Sequence, residues 1–196
     1  MGRDGARISR EGILTLSGTL SGGPVSNASA RTTPIKTGTG TLILTSVNTY
    51  TAATSAPAGT EVQSGILSIA NQTNLGGGTT IGAGRVTISA DPALGAAAGG
   101  ITVAGGTPAS TETMTAARNV AVGGSSGIFQ TDDGTVLTLG GTLSGTGALT
   151  RPGGCTLKLT GDSSGFGDTT TVAAGELVLA DGAVRGGALS WVPTVR

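Results

Sequence analysis

A chain without histidine has few routes to chemistry. The 196 residues hold 11 Asp and Glu, 11 Lys and Arg, 1 Cys and no His. A Ser–His–Asp or Cys–His nucleophile is therefore impossible within this chain. Despite 37 Gly, neither GxxxxGK[ST] nor GxGxxG occurs, and HExxH and CxxC are also absent. Nucleotide cradles and zinc sites are unsupported. Carboxylates are the remaining route. Asp132 and Asp133 are adjacent, so in a strand they would point to opposite faces, poorly placed to share a proton or a calcium ion. In a Thr-Asp-Asp-Gly turn they read as solvated turn residues. Asp162 and Asp168 flank Phe166 and could meet around a corner, but turn chemistry is again the simpler reading. The calcium nonapeptide G-G-x-G-x-D does not occur. Tyr50 and Phe166 are rings that could stack on a sugar. Their recurrence at one point of a repeat favours packing over a corner instead. Asn27-Ala28-Ser29 and Asn71-Gln72-Thr73 match the glycosylation pattern and are expected to be inert. The sequence thus predicts no catalytic residue, no cofactor and no metal ligand.

Composition describes what these residues are mounted on. Aromatic residues make up 2% and charged residues 11% of the chain, and net charge is zero. Such sparse, mixed charge marks no nucleic-acid surface. Gly and Pro together (37 and 7) make 44 residues, which would suggest disorder if no period were present. Cys155 stands alone, so the segment does not depend on a disulfide. The start has no long apolar run, and no stretch approaches a membrane helix.

There is a period. Short apolar-x-apolar triplets begin at Leu14, Leu42, Leu67, Val86, Ile101, Val120, Leu137, Leu157 and Leu177. From Leu67 onward successive starts differ by 19, 15, 19, 17, 20 and 20 residues. Residues i and i+2 share one face of a strand, so each triplet offers two aliphatic side chains inward and a small or polar one outward. A strand that short cannot bury its face alone, but it can against an identical neighbour. The reading is an all-β parallel β-helix, a solenoid with coils of about 20 residues. Apolar residues do not recur at helical spacing, and Pro92 to Gly100, the richest Ala stretch, is broken by Gly and Pro. A β-sandwich is the alternative. The spacing is longer than the 8–12 residues usual there, and Asp133-Gly134 and Asp181-Gly182 are the only good hairpin signals.

A longer repeat sits on top. LTLSGTLSG at 14–22 returns as LTLGGTLSG at 137–145, and GTGTLILTSVNTYTAATSAPAGTEV at 38–62 returns as PGGCTLKLTGDSSGFGDTTTVAAGEL at 152–177. Offsets of 123 and 116 residues for Leu14–Leu137 and Tyr50–Phe166 place an insertion in the first copy. It is assigned to residues 24–37, expected to be an outward loop.

These two stretches resemble the passenger-associated strand repeat of bacterial autotransporters, roughly G-x-G-T-L-T-L-T-G-x-N-T-Y-T-G-x-T-x-V-x-x-G-x-L. The resemblance covers about residues 12–190. It departs at Ala52-Ala53, at Ser55-Ala56-Pro57, and at Glu61-Val62, where an irregular coil is expected. Residues 1–11 read as a disordered or tag-like start and 191–196 as a frayed tail. Cys155 stands where the family has a small residue and reads as a small buried hydrophobe. The resemblance implies a right-handed, single-stranded β-helix on the outer surface of a Gram-negative bacterium, lacking here a signal peptide and a translocator barrel. It implies a structural stalk presenting adhesive regions, not an enzyme. The alternatives are an adhesin binding a host surface protein or glycan directly through outward loops, and a polysaccharide-acting enzyme using Asp and Glu. Unpaired coil ends predict self-association. No nucleic-acid partner and no membrane insertion by this segment are expected.

Overall fold

The computed structural model describes residues 7–21, 34–48, 60–69, 78–95, 98–180 and 186–191. Among them every strand pairing is parallel, and each strand pairs with the corresponding strand one lap earlier or later. Four sheets result. Sheet A stacks Arg7–Ser9, Ile35–Thr37, Thr60–Val62, Thr79–Ile81, Ile101–Val103, Val120–Val122 and Leu143–Gly145, with Phe166 bridging to Gly145 as a further rung. Sheet B stacks Ile13–Leu16, Thr41–Leu44, Ile66–Ile69, Arg85–Ile88, Thr107–Ser110 and Gln130–Thr131. Sheet C stacks Met114–Ala116, Val136–Leu139, Thr156–Leu159 and Glu176–Leu179, and sheet D stacks Gly127–Ile128, Leu149–Arg151, Thr170–Val172 and Leu189–Trp191.

Sheets B and D form one wall. The Ile128 N–H bonds back to Gly106 O, while the Phe129 N–H bonds forward to Thr150 O, so segment 127–131 is shared between them. The solenoid is therefore three-sided: A, then B continuing as D, then C.

The expected alternation produces the core. In sheet B, Leu42, Leu67 and Val86 form one inward row, and Leu44, Ile69 and Ile88 the next. Sheet C repeats this with Leu137 over Leu157 and Leu139 over Leu159. Sheet A supplies Val62, Ile81, Val103 and Val122. Each fully buried aliphatic contributes about 1.5–3 kcal/mol of transfer free energy. The rungs cannot be buried singly, so that energy belongs to the stack.

The structure corrects the reading in five places. The nine triplets are not one recurring strand. The 19- and 20-residue intervals are true laps, since Leu67 pairs with Val86, Ile101 with Val120, and Leu137 with Leu157. The 15-residue interval from Val86 to Ile101 passes from sheet B to sheet A, and the 17-residue interval from Val120 to Leu137 passes from A to C. Laps also vary more than a period of 20 implies: Ile13 pairs with Thr41, 28 residues on, and Thr41 with Ile66, 25 on. Within the expected unstructured start, Arg7–Ser9 is a strand paired with Ile35–Thr37, which itself falls inside the expected outward loop. Residues 24–33 of that loop lie outside the described residues. Glu61 and Val62 belong to a regular strand, because Val62 continues the inward row and Glu61 the outward one. At the other end, Trp191 closes a strand of sheet D rather than opening a frayed tail.

The Pro92 region folds as a single 3-10 turn, Asp91–Leu94. It packs between Arg85–Ile88 and Met114–Ala116, beneath the first described strand of sheet C. An apolar cavity of about 20 Å3 lies beside it, lined by Ile88, Leu94, Met114, Phe129 and Leu139 among others. It could hold one water by volume, but a lining this apolar offers a water no partners and keeps the space dry.

Candidate functional site

Of the four acids singled out in the sequence, Asp133, Asp162 and Asp168 accept backbone N–H groups on their carboxylates, whereas Asp132 takes part in its turn through its main-chain carbonyl. Thr135 donates its N–H (3.1 Å) and its hydroxyl (2.6 Å) to Asp132 O. Asp133 Oδ1 accepts the Gly154 N–H at 3.2 Å, tying its turn to the next lap. Asp162 Oδ1 accepts the Ser164 N–H at 2.8 Å, and that bond holds its carboxyl below the usual carboxylate range. Asp168 Oδ1 accepts the Thr169 N–H at 2.6 Å. Among the described residues, no group of three or more His, Cys, Asp or Glu side chains could hold a metal ion. Phe166 is fully buried against Gly145 and offers no face to a sugar. Tyr50, Asn27 and Asn71 lie outside the described residues.

The sequence reading missed the buried cations. Lys36 is 1% exposed and points into sheet A's inward row beside Val62. Its Nζ donates to Thr37 O (2.7 Å), Gly38 O (2.8 Å) and, one lap later, Ser64 O (3.5 Å). Burial lowers its pKa from the ordinary lysine value. Arg151, also 1% exposed, does the same at the D–C corner. Its Nη1 donates to Pro152 O (3.5 Å), Gly153 O (2.8 Å) and, one lap later, Ala174 O (2.7 Å). Each corner needs a glycine one lap on. Gly65 has φ 71°, and a Cβ there would lie 2.4 Å from Gly38 O; Gly175 has φ 72°, and a Cβ there would lie 2.3 Å from Cys155 O. The available signal was a charged residue two positions before a Gly, just ahead of the T-L-x-L strand, in IKTGTGTLIL and again in TRPGGCTLKL.

Arg118 is the third. It is buried, and its Nε lies 2.6 Å from Asp91 Oδ1. Its Nη2 donates to Asp91 Oδ2 (3.1 Å), Asp91 O (2.9 Å) and Gly95 O (3.1 Å), and its Nη1 to Leu94 O (3.1 Å) and Gly99 O (2.8 Å). The guanidinium thus collects carbonyls from both ends of the 3-10 turn and from the chain that follows it.

The outward rows are flat and carry few charges. Sheet A presents Glu61, Thr80, Thr102, Ala121 and Ser144 in register. Sheet D presents Ile128, Thr150, Thr171 and Ser190. With rungs about 4.8 Å apart, these are rows of mostly small side chains whose hydroxyls can hydrogen-bond a surface. Among the described residues no helix is long and apolar enough to cross a membrane.

A three-walled parallel β-solenoid with in-register aliphatic ladders, carrying two copies of the T-L-x-L corner repeat, is of the class of autotransporter passenger β-helices. A comparison of sequences agrees. The chain is similar to the BmaC autotransporter adhesin of Brucella suis biovar 1 (strain 1330), at 35% identity over 145 residues, 74% of this chain. The match spans 4% of that protein's length. No protein-family model matches the chain, and no solved structure matches it.

Proposed function

We propose that this chain is a stretch of stalk from a surface-displayed autotransporter passenger of a Gram-negative bacterium, holding adhesive regions away from the cell. The observation that carries the reading is the uninterrupted backbone ladder of sheet A, seven strands long. A stack of that kind resists sliding and bending along its whole length, which is what a spacer needs. The carboxylates of Asp133, Asp162 and Asp168 are each bonded to backbone N–H groups, which argues against a polysaccharide-cleaving role. The relative's description as an adhesin supports a second reading, direct binding to a host surface protein or glycan, with residues 24–33 the candidate loop.

One experiment separates the two. Labelled chain is titrated onto mammalian cells and onto immobilised matrix proteins, alongside a version with residues 24–33 replaced by Gly and Ser. A stalk shows no saturable binding in either form. Saturable binding that the replacement abolishes supports the adhesin reading and overturns the bare stalk. Release of sugars from pectin or alginate by the chain would overturn both.

A further inference from the structure

The two repeat copies correspond beyond their corners. Residues 60–81 and 170–191 align at a constant offset of 110 residues. GILSIA at 65–70 meets GELVLA at 175–180, and the Gly-Gly pairs at 76–77 and 186–187 coincide. Both copies fold as the same lap on different walls. Thr60–Val62, Ile66–Ile69 and Thr79–Ile81 lie on sheets A, B and A, whereas Thr170–Val172, Glu176–Leu179 and Leu189–Trp191 lie on D, C and D. The pairing register is shared too: Thr60 pairs with Thr79 as Thr170 pairs with Leu189. The copies differ in what covers them. In the first, Arg85–Ile88 pairs with Ile66–Ile69, and Ile101–Val103 with Thr79–Ile81. There the Gly65 carbonyl accepts the Arg85 N–H at 2.8 Å, and the Thr79 N–H donates to Gly100 O at 3.0 Å. Leu67 and Ile69 are buried beneath that lap. In the second, Glu176–Leu179 and Leu189–Trp191 are the outermost described strands of their sheets. Leu177 is only half-buried, Leu179 is 39% exposed and Leu189 58% exposed.

We propose that this open edge is an acceptor for one parallel lap of passenger sequence: an Arg-aliphatic-Thr-aliphatic strand on Glu176–Leu179, then an aliphatic-Thr-aliphatic strand on Leu189–Trp191. An exposed strand edge binds an extended segment through its main chain, and alternate side chains select the sequence. The covered copy supplies that selection. Carried over in register, the Val86 and Ile88 positions of such a lap stand over Leu177 and Leu179, and the Ile101 position over Leu189. Charge sharpens the choice. The Arg85 position pairs with Ile66 in the covered copy, but at the open edge it pairs with Glu176, which is exposed. Glu176 Oε2 already accepts the Thr156 hydroxyl from one lap earlier at 3.3 Å, which keeps the carboxylate on its own outward row. Opposite charges directly across a strand pair stabilise it. The first edge of a second copy fits less well. Ile13 would take the place of the arginine, and Arg7, not an aliphatic residue, would meet Leu189. The inference concerns the edge alone and holds for a stalk and for an adhesin alike.

The test compares the full chain with an extended form in which residues 192–196 are replaced by a second copy of residues 82–122, long enough to bring its own Arg118. Hydrogen exchange is followed by mass spectrometry at low protein concentration. In the extended form, exchange in Glu176–Leu179 and Leu189–Trp191 should slow by at least about tenfold, with Arg7–Ser9 and Ile13–Leu16 unchanged. Val86→Asp together with Ile88→Asp in the appended copy should abolish the slowing. Glu176→Lys should cut it about threefold, and Arg85→Glu in the appended copy should then restore it. A synthetic peptide of residues 82–104, added to the unextended chain, should protect the same two strands saturably. If neither the extension nor the peptide slows exchange there, if the Asp-bearing copy protects equally, or if Glu176→Lys leaves the slowing intact, the proposal is overturned. It is also overturned if the unextended chain gains protection at both ends as its concentration rises, because the occupant is then a second copy.

Discussion

Replacing Arg118 by Met should open the middle of the solenoid and leave its later laps standing. The guanidinium is 1% exposed, donates to both carboxylate oxygens of Asp91, and collects the carbonyls of Asp91, Leu94, Gly95 and Gly99. Met keeps much of the volume and none of the donors. Removing one member of a buried ion pair costs about 3–5 kcal/mol. The Asp91 side chain is 16% exposed, so water recovers part of its solvation, and a loss near about 3 kcal/mol is expected. Asp91→Asn keeps one acceptor but loses the charge and the second acceptor oxygen, so it should cost about 1.5–3 kcal/mol. The double variant should fall short of the sum, because the pair is lost only once. Location is the sharper readout. Stability in a stacked repeat is carried between neighbours. Hydrogen exchange should therefore quicken in Arg85–Ile88, Ile101–Val103 and Met114–Ala116, the strands around the turn, and hold in Thr156–Leu159. The assay is exchange monitored by mass spectrometry, beside urea unfolding. A loss under about 1 kcal/mol, the scale of an exposed pair, would refute the reasoning, as would exchange quickening equally along the whole rod.

The glycine corners, the buried lysine and the lap register each carry an expectation of their own. Gly65→Ala and Gly175→Ala each place a Cβ within 2.5 Å of two carbonyl oxygens at positive φ; each should lower the urea midpoint by an amount equivalent to at least about 2 kcal/mol, beyond backbone strain alone. Lys36 has a folded pKa below 10.5. Between that lowered value and 10.5 the unfolded chain binds more protons, so its contribution to stability rises with pH through this window and is smallest below it. In a Cys155→Ser background, which removes a thiol titrating with the same sign, the stability advantage of Lys36 over Lys36→Met should grow as pH rises toward 10.5, read by urea unfolding. Deleting residues 156–175 brings Glu176–Leu179 into the register of Thr156–Leu159. The shortened chain should still fold, with a calorimetric enthalpy lower by about 14 kcal/mol at about 0.7 kcal/mol per residue.

The aliphatic rows were legible in the sequence because a strand of period two writes its inward side chains directly into the chain. Leu42-Ile43-Leu44 and Leu157-Lys158-Leu159 each show two buried Leu around an outward residue. The number of walls was not legible. Val86-Thr87-Ile88 and Ile101-Thr102-Val103 have the same local pattern but belong to different sheets, and periodicity carries no label for the wall. The buried cations were hidden for the opposite reason. Lys36 and Arg151 break the apolar pattern, and a charged residue near glycines reads as a solvated corner. Only the three-dimensional corner shows carbonyls from two laps converging on one point. Arg118 and Asp91 are 27 residues apart, and nothing local to either announces the other.

The corners also show how the two copies of the repeat are related in space. In the first, the buried cation lies on sheet A, and the chain turns from A into B at Thr41–Leu44. In the second, it lies on sheet D, which continues B, and the chain turns from D into C at Thr156–Leu159. The same sequence corner has moved round the solenoid by one wall. After Thr156–Leu159 the chain runs along the sheet A wall, where Phe166 bridges Gly145 and Asp162 and Asp168 close turns. After Thr41–Leu44 the next described strand is Thr60–Val62, in sheet A. The midsection between the corners has regular strands on all three walls, which is where Arg118 and its turn begin the third. The corner has therefore moved round the axis by one wall while the ladders on either side of it run on without interruption.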